Sequence, residues 1–400
     1  MSLRACPTDD GDRVVSERSS GVDAVVLDDV QGVRVPLEQS RHLPSYFYTS
    51  PEIFDVEKER LFYKDWLCVG RVEEIANPGD YFTLKIIDEP VVVCRNKAGD
   101  IAAFSNTCAH RGVDVAKGKG NVRAFVCPYH AWSYDLDGKL IGAAHMDKTE
   151  GFDVKTCRLP KLGVAQWCGW IFVTLNDNPL PFDQYIARFD QEFAFLRLQD
   201  CRLAARIVFD LDCNWKFVLE NLFDVYHARV VHAKSFGKYR DSVDYFPTAR
   251  GQGSTIGYYN SASLVPGGQS LFGNMPWLAD KPSTFACLGH LPPNLQLFGR
   301  CDAVVTDVIW PVAPDKTRLL LHILFPAEHF ARPDFEEKLK VYRDFQIQVI
   351  EEDRELVNSL QNGAKSKKFQ PGRMSSLEHG VYNVINYQID RLYGDLRGRT

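Results

Sequence analysis

No stretch of this 400-residue sequence approaches the ~18 consecutive apolar positions that a membrane span requires. The opening MSLRACPTDDGDRVVSERSS also lacks the apolar core of a secretory leader, so a cytoplasmic protein without a membrane partner is expected. Clustered positive charge is missing too. The 47 Lys and Arg stand against 52 Asp and Glu, a net charge of -5, and the one dense basic run, KSKK at 365–368, reads as a solvated loop. Phosphate backbones are bound through stripes of cations, which leaves nucleic acid out as a partner. Neither G-x-G-x-x-G nor G-x-x-x-x-G-K-S/T occurs, so the chain is not expected to bind a dinucleotide or nucleoside triphosphate in those ways. A disulfide framework is absent as well. Eleven cysteines, an odd number spread from Cys6 to Cys301, suit a reducing compartment, and most, such as Cys94, Cys213 and Cys287, sit among apolar residues as small core side chains.

What is present is 45% hydrophobic and 25% charged residues, enough for two or three packed domains. Residues 1–45 are polar, without sustained periodicity, and are expected to form a flexible arm. PEIFDVEKERLFYKDW, 51–66, begins with Pro and spaces Phe54, Val56, Leu61 and Phe62 as one amphipathic helix would. From 67 to about 175, short β-rich runs such as YFTLKII, PVVVC and WIFVTL alternate with turn residues, and Asp137-Gly138 closes a hairpin after Trp132, Tyr134 and Leu136. An N-terminal all-β domain over 46–180 follows. Beyond the Pro-containing link at 176–184, a helix at 214–228, β runs such as DAVVTDVIWPV and TRLLLHILFP, and a long helix from Pro333 to about Leu360 make 181–400 an α+β domain.

Two segments carry chemistry. CAHRGVDVAKGKGNVRAFVCPYH, 108–130, opens Cys-x-His and closes Cys-x-x-His, so two tight turns each offer a thiolate and an imidazole, Cys108 with His110 and Cys127 with His130. Such pairs can hold zinc or iron. Zinc fingers pair like ligands, and the mixing of Cys with His favours a 2Fe-2S cluster with the cysteines on one iron and the histidines on the other. The second segment, NWKFVLENLFDVYHARVVH at 214–232, sets Asn221, Asp224 and His227 at steps of three along one helix, a pattern that serves equally as a polar outer face. His227 and His232 are five apart and point roughly 140° from each other on an ideal helix, so they share a metal only if the helix ends or bulges between them. On the long helix, Asp353 lies near the centre of the stripe formed by Phe335, Leu339, Tyr342, Phe345, Val349, Leu356 and Leu360, with Glu352 about 80° away. An inward carboxylate needs a partner, either a metal or a structural salt bridge.

The first segment resembles the Rieske motif, with Ala131 where that family usually has Gly; the change is expected to ask only for room for a methyl group. The second resembles N-W-K-x-x-x-E-N-x-x-D-x-Y-H-x-x-x-x-H of Rieske non-haem iron oxygenases, matched by Asn214, Trp215, Lys216, Glu220, Asn221, Asp224, Tyr226, His227 and His232. The resemblance implies the alpha, or terminal oxygenase, subunit of a ring-hydroxylating system. In such a protein Cys108, His110, Cys127 and His130 would hold the cluster of an N-terminal Rieske domain. A helix-grip (START-like) catalytic domain with an antiparallel sheet would hold a mononuclear Fe(II) on His227, His232 and Asp353, with Glu352 as the alternative third ligand. It further implies that Asp224 joins His227 to a cluster histidine, His130, of a neighbour in a homotrimeric ring. Electrons would come from NAD(P)H through a separate reductase, with or without a ferredoxin, for mono- or dioxygenation with O2.

The substrate is expected to be a small organic molecule. Tyr258, Tyr259, Phe272, Trp277, Phe285 and Phe298 are the candidate pocket wall. An aromatic or other cyclic compound is the first expectation and a methylammonium compound, held by cation-π attraction, the second. Asp224 leans towards the first, because family members that use methylated amines often carry Glu there. A Rieske electron carrier or redox sensor without turnover is the reading from another class; two iron atoms per chain would mark it, against three for the oxygenase.

Overall fold

Residues 29–237, 246–251 and 254–394 are described by the computed structural model. Ser50 caps the first helix, α1 (Pro51–Glu57), by accepting the Ile53 N–H at 3.2 Å, and Pro51 occupies the first turn, where its missing N–H costs nothing. The helix expected to reach residue 66 passes instead into a π-helical turn, Lys58–Phe62. Glu57, at the junction, faces the core: its carboxylate receives Lys216 Nζ at 2.5 Å and Trp215 Nε1 at 2.7 Å, while the wider turn still sends Leu61 and Phe62 inwards. Residues 29–45, expected as part of the arm, are packed. Val30, Val33, Leu37 and Leu43 are buried, Arg34 ion-pairs with Asp390, and the Ser40 carbonyl and His42 N–H bond to Met374 and Gly372. The polar residues between these four apolar ones hid the stripe; residues 1–28 lie outside the described residues.

Strands β1 (Leu67–Arg71), β2 (Asp80–Ile86), β3 (Glu89–Arg95), β4 (Ile101–Ser105), β5 (Lys119–Asn121), β6 (Phe125–Val126), β7 (Ser133–Tyr134), β8 (Leu140–Gly142), β9 (Gly163–Trp167) and β10 (Trp170–Thr174) build three antiparallel sheets. Their orders are β1-β10-β9, β4-β3-β2-β5 and β6-β7-β8. The turn between β7 and β8 needs a glycine. Gly138 has φ +77°, and a Cβ there would meet the Phe104 ring at 2.5 Å.

Helix α2 (Phe182–Phe193) leads to β11 (Cys201–Leu211), α3 (Trp215–Phe223), the short turn α4 (Ala228–Val231), β12 (Phe246–Gly251), β13 (Ser254–Asn260), β14 (Phe285–Leu291), β15 (Leu295–Arg300), β16 (Val304–Ala313), β17 (Lys316–Pro326), α5 (Phe335–Ala364) and α6 (His379–Tyr393). The seven strands form one antiparallel sheet, β11-β17-β16-β15-β14-β13-β12. Its outer face takes α2 so closely that a Cβ on Gly289 would lie 2.4 Å from the Phe193 ring. Against the inner face lies α5, 30 residues and so about 45 Å long, with Phe335, Leu339, Tyr342, Phe345, Val349, Asp353 and Val357 buried. Leu356 and Leu360, expected on that stripe, are exposed. The α+β expectation holds, with an all-β N-terminal unit and a long helix gripped by an antiparallel sheet. Among the described residues no helix is long and apolar enough to cross a membrane.

The Glu57–Lys216 pair is 0% and 1% exposed and ties α1 to α3. Lys216→Met by itself leaves a buried, unpaired carboxylate, and a loss of about 3–5 kcal/mol is expected in urea denaturation. Combining it with Glu57→Leu should recover most of that loss.

Candidate metal centres

The first centre is built from two turns of the same design. Cys108 N–H donates to Val113 O at 2.9 Å and Gly112 N–H returns to Cys108 O at 2.8 Å; Cys127 N–H donates to Trp132 O at 2.8 Å and Ala131 N–H returns to Cys127 O at 3.0 Å. Each turn buries its cysteine and exposes its histidine. The Tyr134 hydroxyl stands 3.2 Å from Cys108 Sγ and accepts the Ala109 N–H at 3.0 Å, which fixes the first turn. His110 Nδ1 and His130 Nδ1 face each other at 3.1 Å, with the Trp132 ring stacked on His110. Two sulfur and two imidazole donors, gathered from one pair of turns, fit a Rieske cluster.

Ala131 and Gly112 occupy equivalent places, and both have positive φ, +57° and +74°. The expectation that a methyl at 131 needs only room is therefore corrected. Its cost is conformational, about 1–2 kcal/mol for an L residue in the left-handed region.

The second centre depends on a break in a helix. Asn214 caps α3 by accepting the Lys216 N–H at 3.0 Å, and the helix stops at Phe223. Asp224 follows with extended backbone, ψ 104°, and its Oδ1 accepts the Tyr226 N–H at 2.6 Å, the local bond by which Asp commonly ends regular structure. The expected line of Asn221, Asp224 and His227 along one helix is thus interrupted. The interruption is what the histidines need: α4 restarts at Ala228, and His227 Nε2 and His232 Nε2 come within 3.3 Å.

Asp353, 7% exposed, points its Oδ1 at both rings, 3.4 Å from His227 Nε2 and 3.2 Å from His232 Nε2, and accepts from Asn221 Nδ2 at 3.3 Å. One atom from each of the three residues lies within 4.8 Å of the others. Glu352, the alternative third ligand, stands behind His232, with Oε2 at 2.7 Å from Nδ1 and from Ser235 Oγ. Asp224 has the same relation to His227, its Oδ2 lying 3.3 Å from Nδ1 but off the line of a good hydrogen bond. Each ring so has an inward Nε2 and an outward carboxylate, and the N, N, O donor set fits a divalent iron with open positions.

Burial opposes charge on His227, yet Asp224 and Asp353 outweigh it and raise the imidazole to about 9. Burial likewise opposes ionisation of Asp353, and the two histidines overcome it, holding the carboxyl well below the usual range.

A cavity of about 90 Å³ opens beside the three donors, walled by Val225, Phe236, Leu264, Leu288, Phe298 and Val349, with Arg300 and Asp307 also on its lining. Of the aromatic residues expected there, Phe298 lines it. Phe272 stacks instead with Tyr342, Trp277 lies under Arg197, and Phe285 meets Phe195, while the side chains of Tyr258 and Tyr259 lie outside the described residues. Phe236, stacked on His232 at 4.6 Å, was not singled out, nor were Arg300 and Asp307. Burial raises Asp307 to about 7, with Asp353 adding to the shift and Arg300 opposing it. A second, wider cavity of about 460 Å³ reaches Asn221, Asp224 and His227 from another side, past Tyr48, Leu356 and Phe369.

Comparison with known proteins matches the chain to two family models. Residues 198–393 match the family model for the ring hydroxylating alpha subunit (catalytic domain) and 65–158 that for the Rieske [2Fe-2S] domain. The carnitine monooxygenase oxygenase subunit of Acinetobacter pittii is 31% identical over 357 residues, covering 84% of this chain and 91% of that protein. The glycine betaine monooxygenase oxygenase subunit of Chromohalobacter salexigens is 29% identical over 387 residues, covering 88% and 86%. Among solved structures, the quaternary ammonium Rieske monooxygenase CntA in complex with substrate gamma-butyrobetaine gives a TM-score of 0.73 at 28% identity, over 89% of this chain and 96% of that one. Naphthalene 1,2-dioxygenase from Rhodococcus sp. bound to indole gives 0.76 at 19% identity over 96% and 100%, a likeness of fold. The chain belongs to the Rieske oxygenase alpha subunits. It is the O2-dependent terminal oxygenase of a system that carries a Rieske cluster and a mononuclear iron and is fed by a separate reductase.

A metal takes neutral imidazole, so below about pH 9 iron has to displace a proton from His227. The Fe(II) affinity of chelator-treated protein, titrated without oxygen, should rise about tenfold per pH unit between neutrality and that value and level off above it. A flat profile would show that His227 carries no such proton.

Proposed function

We propose that Cys108, His110, Cys127 and His130 hold the cluster, that His227, His232 and Asp353 hold the iron, and that Asp224 provides the link between centres. We infer further that the substrate is a methylammonium compound, oxidised at a carbon next to nitrogen. The observation that carries this substrate class is the cavity lining. Asp307 and Arg300 are buried on that lining, where a neutral arene would leave both unsolvated, and the aromatic rings of Phe236 and Phe298 line the same cavity. The names of the relatives, which act on carnitine and glycine betaine, support the same class. Together these outweigh the lean towards a ring substrate drawn from Asp224, and membership of an oxygenase family sets aside the carrier or sensor reading.

The iron, when bound, supplies reductive activation of O2; monooxygenation consumes O2, two electrons from the reductase and two protons, and returns hydroxylated substrate and water. The chain's own residues prepare the site. Glu352 occupies His232 Nδ1 and so presents Nε2, Asp224 stands at the same place on His227, and Asn221 holds the Asp353 oxygen that faces both rings. Val225, Leu264, Leu288 and Val349 keep water from the reacting carbon.

Two exposed apolar faces support a ring of three. The cluster tip exposes Val126, Tyr129 and Ile141 around His110 and His130, and the side near Asp224 exposes Tyr226, Val230, Leu356, Leu360 and Phe369. One face placed on the other, head to tail, closes a cyclic homotrimer in which Asp224 of one subunit meets the cluster of the next. The cytoplasm, where thiols stay reduced, suits the ten cysteines that are free among the described residues.

With a surrogate reductase and O2, the purified oxygenase should oxidise trimethylammonium compounds with labelled oxygen incorporated and leave neutral arenes unchanged. Oxidation of arenes alone would overturn the substrate class. Co-expressed chains, one bearing Cys108→Ser and the other His227→Ala, should each be inactive alone and recover turnover when mixed trimers form. No recovery would confine electron transfer to a single chain.

A further inference from the structure

The wider cavity reaches Asp224 and His227 from another side than the smaller one, and its wall gathers titratable side chains from three separate segments. His42 and Tyr48 come from the chain ahead of α1, Glu220 and Asp224 from α3 and the break that ends it, and Glu378 from the residue before α6. Packing holds these segments together. The first turn of α6 lies so close to the end of α3 that a Cβ on Gly380 would stand 2.6 Å from the Phe223 carbonyl oxygen.

Glu220 is the unusual member. It is 8% exposed, and Lys216, one turn back on α3, is bound to Glu57 instead of neutralising it. The Tyr48 hydroxyl lies 2.9 and 3.1 Å from the two Glu220 oxygens and donates to one at a time, which leaves the other for a proton. Burial raises the carboxyl to about 7, against the pull of His42, Tyr48 and Lys216, with Glu378 adding to the rise. His42 is the outer member, its side chain 31% exposed and its Nε2 3.2 Å from Glu378 Oε1. Burial opposes charge there too, yet Glu378, Glu220 and Asp224 outweigh it and favour the imidazolium. The Ser45 hydroxyl oxygen, on the same wall, is buried without a hydrogen-bond partner among the described residues. At about 460 Å³, with this lining, the cavity is roomy and polar enough for a file of water.

Each turnover takes up two protons, and the apolar Val225, Leu264, Leu288 and Val349 of the smaller cavity cannot carry them. We propose that Glu220 is a proton relay of the oxygenase, passing its carboxyl proton through the wider cavity towards the iron site and taking another from His42. The O–H bond of Glu220 breaks on the inner side and an N–H bond of His42 on the outer, and His42 recovers its proton from solvent. Two such passes supply the protons that leave in water, with no added oxidant or reductant. Tyr48 holds the carboxyl in place, and Glu57 keeps Lys216 from trapping it as a permanent carboxylate.

The first measurement needs neither iron nor substrate. In chelator-treated protein, a component of the protonated-carboxyl infrared stretch should vanish as pH rises through about 7 and be missing from Glu220→Gln. The second uses the assembled oxygenase with its reductase and a trimethylammonium compound. Glu220→Gln, which still accepts from Tyr48, should lower kcat about 100-fold with KM little changed and with cluster absorbance and iron content retained. Glu220→Asp should return part of the loss, and formate in the buffer should do the same for Glu220→Ala. Native kcat should fall above about pH 7, where the carboxyl stays ionised, and Glu220→Gln should lose that fall. The absence of an infrared component that Glu220→Gln removes, or a kcat and pH profile that it leaves in place, overturns the relay. Failure of the native enzyme to oxidise the trimethylammonium compound overturns the methylammonium reading alone; the infrared titration and the same kinetic series on an arene then decide the relay.

Discussion

The catalytic half is organised around a carboxylate in the wrong place. Asp353 lies on the inward stripe of a 30-residue helix, between Val349 and Val357, where an unmatched charge would cost several kcal/mol. Among the described residues no Lys or Arg meets it; its neighbours are two imidazoles and the Asn221 amide. Once that acid is accepted, much else follows. A segment of another element must bring histidines to the helix, the sheet must leave room beside them, and a metal is the natural counter-charge.

Both centres are made by leaving regular structure at a defined residue. Asp224 ends a helix early, so that side chains five apart in sequence meet, and Ala131 takes a left-handed turn, so that its amide returns to the cysteine four residues before it. Behind each inward histidine nitrogen of the iron site stands a carboxylate that sets the ring's orientation. The two acids differ in their own anchoring. Glu352 is held by Ser235 and Gln348, whereas Asp224 is held by the backbone of the break itself. The link assigned to Asp224 therefore rides on the least regular stretch of the site.

Much of this was legible in the sequence because the candidate ligands sit in short local motifs. Cys108, His110, Cys127 and His130 declare their turns by spacing, and Asp353 declares its depth by helical period. The packed strap at 29–45 was not legible, since its four buried apolar residues are too few, among many polar ones, to make a sustained periodic signal. Nor was the pocket wall. Aromatic residues between 256 and 300 drew attention through size, yet Phe272, Trp277 and Phe285 are spent on packing elsewhere. The informative sign was a charge where none belongs: Asp307 interrupts VVTDVIW, a run otherwise fit for the interior of a sheet, and Arg300 ends the strand beside it.

The strap also shapes the approach to the iron. His42, Leu43 and Ser45 are part of the wall of the wider cavity that reaches Asp224, opposite Leu360 and Phe369 from the other end of the chain. That wall is a seam between two segments more than 300 positions apart, zipped by backbone bonds at Ser40 and His42. Any change in how the segment ahead of the Rieske domain is threaded would alter the contour of the cavity beside Asp224. Residues far from Asp224 and His227 in sequence thereby share control of how that side of the site is reached.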